Sequence, residues 1–276
     1  MSLFQNTVIQ NHLARQDAAQ IEEKWTKYQA LFHDTVKQSN IRQSKEEQYQ
    51  EGFFRDLFVD ILGHTINPNP DWNLITEQKN KTNAKKADGA IWYEGKIIAV
   101  IELKDTKTAN LQSVEPQAFG YKNNQEGCRY VIIANFEKRR FYIDNTIEHI
   151  EFNLFTLTRE QFGLLWLCLE RRNLESHLPA RLKSESLSAE EAVTRRLYQD
   201  YSQFKRELFA DLCTRNPGQD PLELFKKSQK LLDRFLLDLL RKYPEDLQFP
   251  NEIRKPHPKK RQGIQTAHRC NARPFS

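Results

Sequence analysis

The sequence predicts an α/β protein in which helices flank a mixed central sheet and an all-helical segment follows the sheet. Two observations predict this class. Residues 44–156 show the order helix, strand hairpin, helix, strand, strand, and residues 157–240 show only apolar side chains at helical spacing. A third observation concerns chemistry, because the most apolar strand of the chain ends in charged side chains.

The first helices precede the sheet. Residues 7–34 carry apolar side chains at helical spacing and predict one or two helices packed outside the sheet, within an N-terminal region of residues 1–43. A further helix is predicted to begin at Ser44, since Ser44-Lys-Glu-Glu47 has the pattern of a capping box, and to end at Gly63.

Glu51 is the candidate functional residue of this helix. It stands three residues before Phe54 and seven before Phe58, so we expect it on or beside the buried stripe. A carboxylate in that position needs a partner, and it would complete a metal site on the sheet. The alternative is an acid that reaches solvent or is stabilised near the helix N-terminus.

A strand hairpin forms the centre of the predicted sheet. An edge strand over residues 73–79 precedes it, and two strands within residues 86–104 are joined by a tight turn at Glu94-Gly95. The loop before the hairpin carries lysines that contact either solvent or phosphate: Lys79, Lys81, Lys85 and Lys86.

The second strand of the hairpin combines burial with charge. Its near-continuous apolar run predicts a central strand covered on both faces, yet the strand ends in Glu102-Leu-Lys104. Burying a carboxylate and an ammonium group is costly unless they meet each other or a metal. Glu102 and Lys104 point to one face because they are two residues apart.

Asp88 lies across the turn at nearly the height of Glu102. A three-residue loop with Gly95 in the left-handed conformation would put both carboxylates on one face, whereas a two-residue loop would separate them. The functional interpretation therefore predicts the three-residue loop. The two carboxylates would then hold Mg²⁺, which activates a bound water, and Lys104 would orient that water or stabilise the transition state of phosphodiester hydrolysis. The alternative is a strand end with a surface ion pair.

The helix predicted over residues 114–124 contains Gln117 and Tyr121, which are four residues apart on one face. Such a pair can bond to Lys104, a bound water or a phosphate, where a packed helix would normally present aliphatic side chains. Three further strands are predicted after this helix, at residues 128–135, 139–144 and 150–155.

The remaining helices are predicted largely from their caps. Thr158 begins one helix, residues 179–188 form a polar, linker-like stretch, Ser188 begins a long helix, and Asp220-Pro221 begins another. No constellation of acids or histidines accompanies them. We therefore interpret residues 157–240 as a connector or docking module.

Charge and composition restrict the class of protein. The net charge is +5, but residues 241–276 hold nine basic and three acidic side chains (+6), and the rest holds 33 and 34 (−1). That proline-rich segment is predicted to be disordered, so bulk charge does not argue for nucleic-acid binding. The four cysteines lack metal-ligand spacing, no segment has membrane-spanning character, and the first ten residues lack a signal-peptide pattern. We therefore expect a cytoplasmic protein.

Asp88 followed by Glu102-Leu-Lys104 on a hairpin resembles the PD-(D/E)xK nuclease superfamily, and Gln117-Ala-Phe-Gly-Tyr121 resembles the Q-x-x-x-Y motif of one of its branches. The chain also resembles the N-terminal part of type IIG restriction enzyme/methyltransferases, in residues 45–58, 67–77, 85–90, 117–124, 152–158 and 231–235. The resemblance implies a PD-(D/E)xK restriction-endonuclease-like core that cleaves double-stranded DNA with Mg²⁺, or with Mn²⁺ in its place. It implies catalytic roles for Asp88, Glu102, Lys104, Gln117 and Tyr121, and metal binding by Glu51, Asp88 and Glu102.

The chain also departs from that family. It lacks an Asn-Pro-Pro-aromatic motif and a glycine-rich cofactor loop, so no S-adenosylmethionine site is expected, and a Pro/Lys/Arg-rich segment follows Arg234-Phe235-Leu236. We therefore expect a truncated or frame-shifted gene. Four interpretations remain: a type IIG-like nuclease domain, a catalytically idle remnant, a stand-alone defence or repair nuclease, and a binding protein whose carboxylates are structural. The oligomeric state stays open.

Overall fold

The computed structural model describes residues 3–79 and 86–242. The predictions for Lys81, Lys85 and the chain from residue 243 onward therefore lie outside the described residues. The chain divides into two compact units, residues 1–198 and residues 199–276.

Six strands of the first unit form one mixed sheet, in the order of the chain. Their bounds are β1 Leu74–Lys79, β2 Lys86–Tyr93, β3 Lys96–Leu103, β4 Tyr130–Ala134, β5 Lys138–Ile143 and β6 His149–Asn153. Neighbouring strands are antiparallel except β3 and β4, which run parallel and therefore need a crossover between them. The mixed α/β class predicted from the sequence is confirmed.

Helices precede the sheet, provide the crossover between β3 and β4, and follow the sheet. Their bounds are α1 Asn6–Leu13, α2 Ala18–Phe32, α3 Thr35–Gln43, α4 Glu46–Phe53, α5 Glu115–Asn123, α6 Arg159–Leu169, α7 Arg171–Glu175, α8 Leu178–Arg215 and α9 Pro221–Lys242. A π-helix, Phe54–Ile61, continues α4, and a 3₁₀ turn, Leu111–Val114, precedes α5. None of the described helices combines the length and apolar character that crossing a membrane requires.

Side chains of β3 alternate between two apolar cores. Ile101 and Leu103 face the larger core, which α1, α2, the π-helix and α6 complete. Val100 faces a smaller core beneath α5, where it meets Val131 and Ala118. The strand is thus covered on both faces, as predicted. Glu102 alternates with Ile101 and Leu103 and therefore lies on the α5 side.

The predicted start of the fourth helix is wrong by one residue. Lys45, not Ser44, is the N-cap of α4, and the Gln48 side chain accepts a hydrogen bond from the Lys45 backbone N–H at 2.9 Å. The Ser44 hydroxyl instead donates to the Asn40 carbonyl at 2.9 Å. Ser44 is therefore the C-cap of α3. The sequence pattern indicated the start of α4 at this point but not the end of the preceding helix.

The predicted linker at residues 179–188 is also wrong. These residues lie inside α8, which begins at Leu178 rather than at Ser188. Leu178 and Leu182 are buried against the core of the first unit. A polar sequence forms a helix here because packing of its few apolar side chains stabilises it, which local composition does not reveal.

As far as residue 242, the second unit comprises the end of α8, from residue 199, and α9. The rings of Phe209 and Phe225 pack edge to face with centroids 5.6 Å apart, and Lys205 Nζ lies 4.5 Å from the Phe225 centroid. Asp220 accepts a hydrogen bond from the Leu222 N–H at 3.1 Å, so the predicted cap of this helix is confirmed.

Candidate active site

The turn between β2 and β3 has two residues, so the predicted three-residue loop is wrong. Tyr93 pairs with Lys96 across the turn, and Glu94 and Gly95 both adopt the left-handed conformation, with φ of 47° and 81°. Two-residue loops of this kind match the twist of the strands they join. By itself, such a loop would place the two carboxylates on opposite faces of the sheet.

A β-bulge puts the carboxylates back on one face. Trp92 pairs with Ile97, but Ile91 pairs with Ala99, so β3 carries one additional residue at this point. An additional residue inverts the faces of all later pairs. The register beyond the bulge sets Asp88 opposite Glu102 on the α5 side. The two side chains therefore share a face as expected, although the bulge and not the loop produces that arrangement.

Glu102 is the most buried carboxylate of the cluster, with 1% of its side chain exposed. Its Oε1 accepts two hydrogen bonds, from Lys104 Nζ at 2.8 Å and from Gln117 Nε2 at 2.6 Å. Its Oε2 is buried and has no hydrogen-bond partner among the described residues. Burial, reinforced by repulsion from Asp88, raises the pKa of Glu102 to about 7. A buried oxygen without a donor favours either a proton or a cation beside it.

Asp88 is anchored to the end of β3 through the backbone. Its Oδ2 accepts a hydrogen bond from the Leu103 N–H at 2.7 Å. Burial raises the pKa of Asp88, while this hydrogen bond and the charge of Lys104 act in the opposite direction. The Asp88 side chain is therefore held in one position, where its charge is close to that of Glu102.

The Lys104 ammonium lies among acceptors. Nζ donates to Glu102 Oε1 and to the Leu103 carbonyl at 2.7 Å, and it lies 3.6 Å from Glu46 Oε1. Burial alone would lower the pKa of Lys104, but the hydrogen bond to Glu102 and the neighbouring carboxylates outweigh burial and raise it. Lys104 therefore stays protonated and acts as a donor and a positive charge.

Gln117 and Tyr121 lie on the face of α5 that covers this end of β3. Gln117 Nε2 contacts both Glu102 Oε1 and the Tyr121 hydroxyl oxygen, the latter at 3.1 Å. Tyr121 is buried in the smaller core. The Gln117 amide thus fixes the orientation of the Glu102 carboxylate, and Tyr121 fixes the amide.

Glu51 does not join the cluster. Its side chain is 81% exposed and pairs with Arg55 at 2.9 Å, so the expectation that it lies beside the buried stripe is wrong. One reason is that α4 buries the face of Phe53, and Glu51, two residues from Phe53, lies on the opposite side of the helix. The other reason is the π-helix, in which the Leu62 N–H bonds to the Leu57 carbonyl five residues earlier. Its wider turns shift the phase of the helix. Regular spacing counted back from Phe58 through this segment therefore points to the wrong residue.

Glu46 is the acid that α4 brings to the site instead. It approaches Lys104 as described, and burial together with the charge of Asp88 raises its pKa, against the opposing effect of Lys104. The Thr106 hydroxyl donates to the Arg42 carbonyl at 3.0 Å, which ties the loop after β3 to the end of α3. The sequence holds a signal for Glu46, because it stands seven residues before the buried Phe53 within the regular α-helix.

The cluster suits a hard cation that keeps most of its water. Among the residues that the structure describes, no group of three or more His, Cys, Asp or Glu side chains is arranged as a metal cage. Asp88 and Glu102 offer carboxylate oxygens on one face, and Glu102 Oε2 has no donor within residues 3–79 and 86–242. Two carboxylates with several waters are the coordination that Mg²⁺ commonly takes.

No family model matches the sequence, and no curated protein matches it. A search of solved structures finds a chain of a cryo-EM structure described as a DrdV–DNA complex, with a TM-score of 0.34 and 16% sequence identity. The match covers 84% of this chain and 23% of that chain, so this chain spans less than a quarter of its length. A TM-score of 0.34 does not establish a shared fold.

Proposed function

We propose that this chain is a Mg²⁺-dependent endonuclease of the type IIG-like, PD-(D/E)xK kind, which hydrolyses phosphodiester bonds of double-stranded DNA. The observation that carries the proposal is the convergence of Asp88, Glu102 and Lys104 at the end of β3, where Glu102 Oε2 is buried and finds no donor in the described part of the chain. A purely structural ion pair would be expected to have its buried oxygens bonded.

Asp88 and Glu102 would hold Mg²⁺, or Mn²⁺ in its place, with the charge of Glu46 nearby. When bound, the cation supplies an activated water and stabilises negative charge on the phosphoryl oxygens. One oxygen of each carboxylate accepts hydrogen bonds from the protein. Gln117 and Lys104 donate to Glu102 Oε1, and the Leu103 N–H donates to Asp88 Oδ2. These bonds orient both carboxylates for cation binding.

Lys104 would stabilise charge rather than remove a proton. Two of its three hydrogens bond to Glu102 and to the Leu103 carbonyl. The third can reach a water or a phosphate oxygen, where a fixed positive charge stabilises the charge that develops during hydrolysis. Because its pKa is raised, the ammonium does not act as a general base at neutral pH.

Cleavage of unmodified plasmid with Mg²⁺ or Mn²⁺ tests the proposal. We expect the wild-type chain to cut, and Asp88→Asn and Lys104→Ala each to lower the rate by about 100-fold or more. The first change weakens the cation site, and the second removes the positive charge beside the reacting phosphate. Glu46→Gln should lower it less, because Glu46 would act on the site through its 3.6 Å ion pair with Lys104. Lys107→Ala, an exposed lysine of the adjoining loop, is the matched control for Lys104→Ala.

Glu51→Gln is the matched control for Glu46→Gln, since both acids lie on α4 but Glu51 is exposed. Equal cutting by all variants would contradict the proposed site. A folded chain that binds Mn²⁺ yet cuts no DNA would favour the catalytically idle remnant.

A further inference from the structure

Two tryptophans stack on each other at the surface of the first unit. The rings of Trp72 and Trp92 have centroids 5.4 Å apart and an interplanar angle of 25°. Trp92 is 37% exposed, whereas Trp25 and Trp166 are buried in the core. Part of Trp92 therefore remains accessible to a ligand with a planar face, on which aromatic side chains stack.

The pair lies on the same face of the sheet as the carboxylates. Asp88 and Trp92 are both on β2 and are four residues apart, so alternation directs both side chains to one face. Trp92 also pairs with Ile97, whose side chain belongs to the core on the α5 side. At about 3.3 Å per residue, the two positions are separated by about 13 Å along the strand.

Hydrogen bonds order the chain segments that carry the two tryptophans. The Trp92 N–H donates to the Asn73 carbonyl at 2.8 Å, which joins the two residues' chain segments. Next to Trp72, the Asp71 carboxylate bonds to Arg171 at 2.8 Å, and Arg171 also donates to the Asp71 carbonyl at 2.7 Å. A surface that is already ordered loses little conformational entropy when a ligand binds to it.

We propose that Trp72 and Trp92 form a stacking platform for an unpaired nucleobase, so that duplex DNA with a single-stranded segment a few nucleotides from the cleaved bond binds more tightly than fully paired DNA. The inference rests on the proposed function and names its substrate more closely. An aromatic ring stacks on any base regardless of sequence. Bases inside a duplex are covered by their neighbours, so an unpaired base is required. A separation of about 13 Å corresponds to about four nucleotide steps at the B-form rise of 3.4 Å.

Binding of tailed and blunt oligonucleotide duplexes tests the platform. The chain carrying Glu102→Gln, without divalent cation, allows binding to be measured apart from cleavage. We expect a duplex with a four-nucleotide tail to bind about 10-fold more tightly than the same blunt duplex, and to quench tryptophan fluorescence. Trp92→Leu should abolish the preference, while Trp92→Phe should retain most of it because a ring remains.

Tyr198→Ala is the control, since it removes an exposed aromatic side chain outside the sheet. Trp72→Leu provides a second variant, and circular dichroism confirms that each variant is folded. Equal binding of tailed and blunt duplexes, or an unchanged preference in Trp92→Leu, would show the platform to be wrong. If Trp92→Leu abolishes the tail preference but the wild-type chain does not cut DNA, the platform is supported and the nuclease function is contradicted. If the wild-type chain cuts tailed DNA and Trp92→Leu leaves that cutting unchanged, the nuclease function is supported and the platform is contradicted.

Discussion

At the scale of single residues, Glu102 shows that the candidate site lowers the stability of the fold. Both of its carboxylate oxygens are buried, two donors converge on Oε1, and Oε2 has no partner among the described residues. An unsatisfied buried polar group costs roughly 1–3 kcal/mol of stability. Side chains with strongly shifted pKa values in such positions are typical of functional sites, where chemistry and stability make opposite demands.

Removal of the Glu102 charge should therefore stabilise the metal-free chain. The pKa of Glu102 is raised from the ordinary 4.5 to about 7, so the folded chain keeps a proton that the unfolded chain loses between these values. Stability from this group is present at low pH and is lost as pH rises towards 7. We expect Glu102→Gln to unfold a few degrees above wild type at pH 8 in EDTA, with little difference at pH 5.

Thermal unfolding at the two pH values measures this effect. Glu51→Gln is the control, because that carboxylate is exposed and should show no such pH-dependent difference. A Glu102→Gln chain that is less stable than wild type at pH 8 would mean that the carboxylate is a net stabilising partner of Lys104.

At the scale of elements, the β2–β3 hairpin and the π-helix position the site together. Gly89 allows their close approach, because a Cβ atom there would lie 2.6 Å from Cζ of Phe54 in the π-helix. Gly89 also adjoins Asp88, and its strand partner Ile101 adjoins Glu102. The spacing between π-helix and sheet thus bears directly on the two carboxylates.

Gly89→Ala should destabilise the chain by about 1–3 kcal/mol, because the added methyl overpacks a buried contact with an aromatic ring. Chemical denaturation measures the free energy of unfolding. The matched control is Gly120→Ala in α5, where nothing lies within 4 Å of the added Cβ. That change should be neutral or stabilising by up to about 1 kcal/mol, since alanine favours the helix. A denaturation midpoint for Gly89→Ala equal to that of wild type would contradict the overpacking argument.

At the scale of the whole molecule, the candidate site belongs entirely to the first unit. The long helix α8 begins in that unit, and its buried residues lie in its first turns: Leu178, Pro179, Leu182 and Ser186. There the Ser186 hydroxyl accepts a hydrogen bond from the Gln5 N–H at 2.9 Å, and Glu185 pairs with His12 at 2.8 Å. The buried side chains of α8 therefore all belong to the part of the helix that lies in the first unit.

A chain ending at residue 198 should consequently fold by itself. We expect residues 1–198 to unfold at the temperature of the main transition of the full chain, as followed by near-ultraviolet circular dichroism. The control ends at residue 177 and lacks Leu178 and Leu182, and it should lose about 2–5 kcal/mol for each buried leucine removed. An unfolded 1–198 chain would show that the first unit depends on the second.

The sequence by itself determined the class of fold and the identity of the central cluster. The six strands and the helix carrying Gln117 follow from local periodicity. The residues Asp88, Glu102 and Lys104 stand out because they are charged side chains within or next to apolar strands. These features are local, so neighbouring residues reveal them. The tertiary structure decided which side chains meet. A bulge brings Asp88 to the face of Glu102, and burial of Phe53 in α4 leaves Glu51 exposed and Glu46 beside Lys104. Core packing makes residues 179–188 helical. Each of these outcomes depends on contacts between residues that are distant in sequence. Such contacts stabilise irregular features, such as the bulge in β3 and the π-helix, which local sequence patterns do not encode.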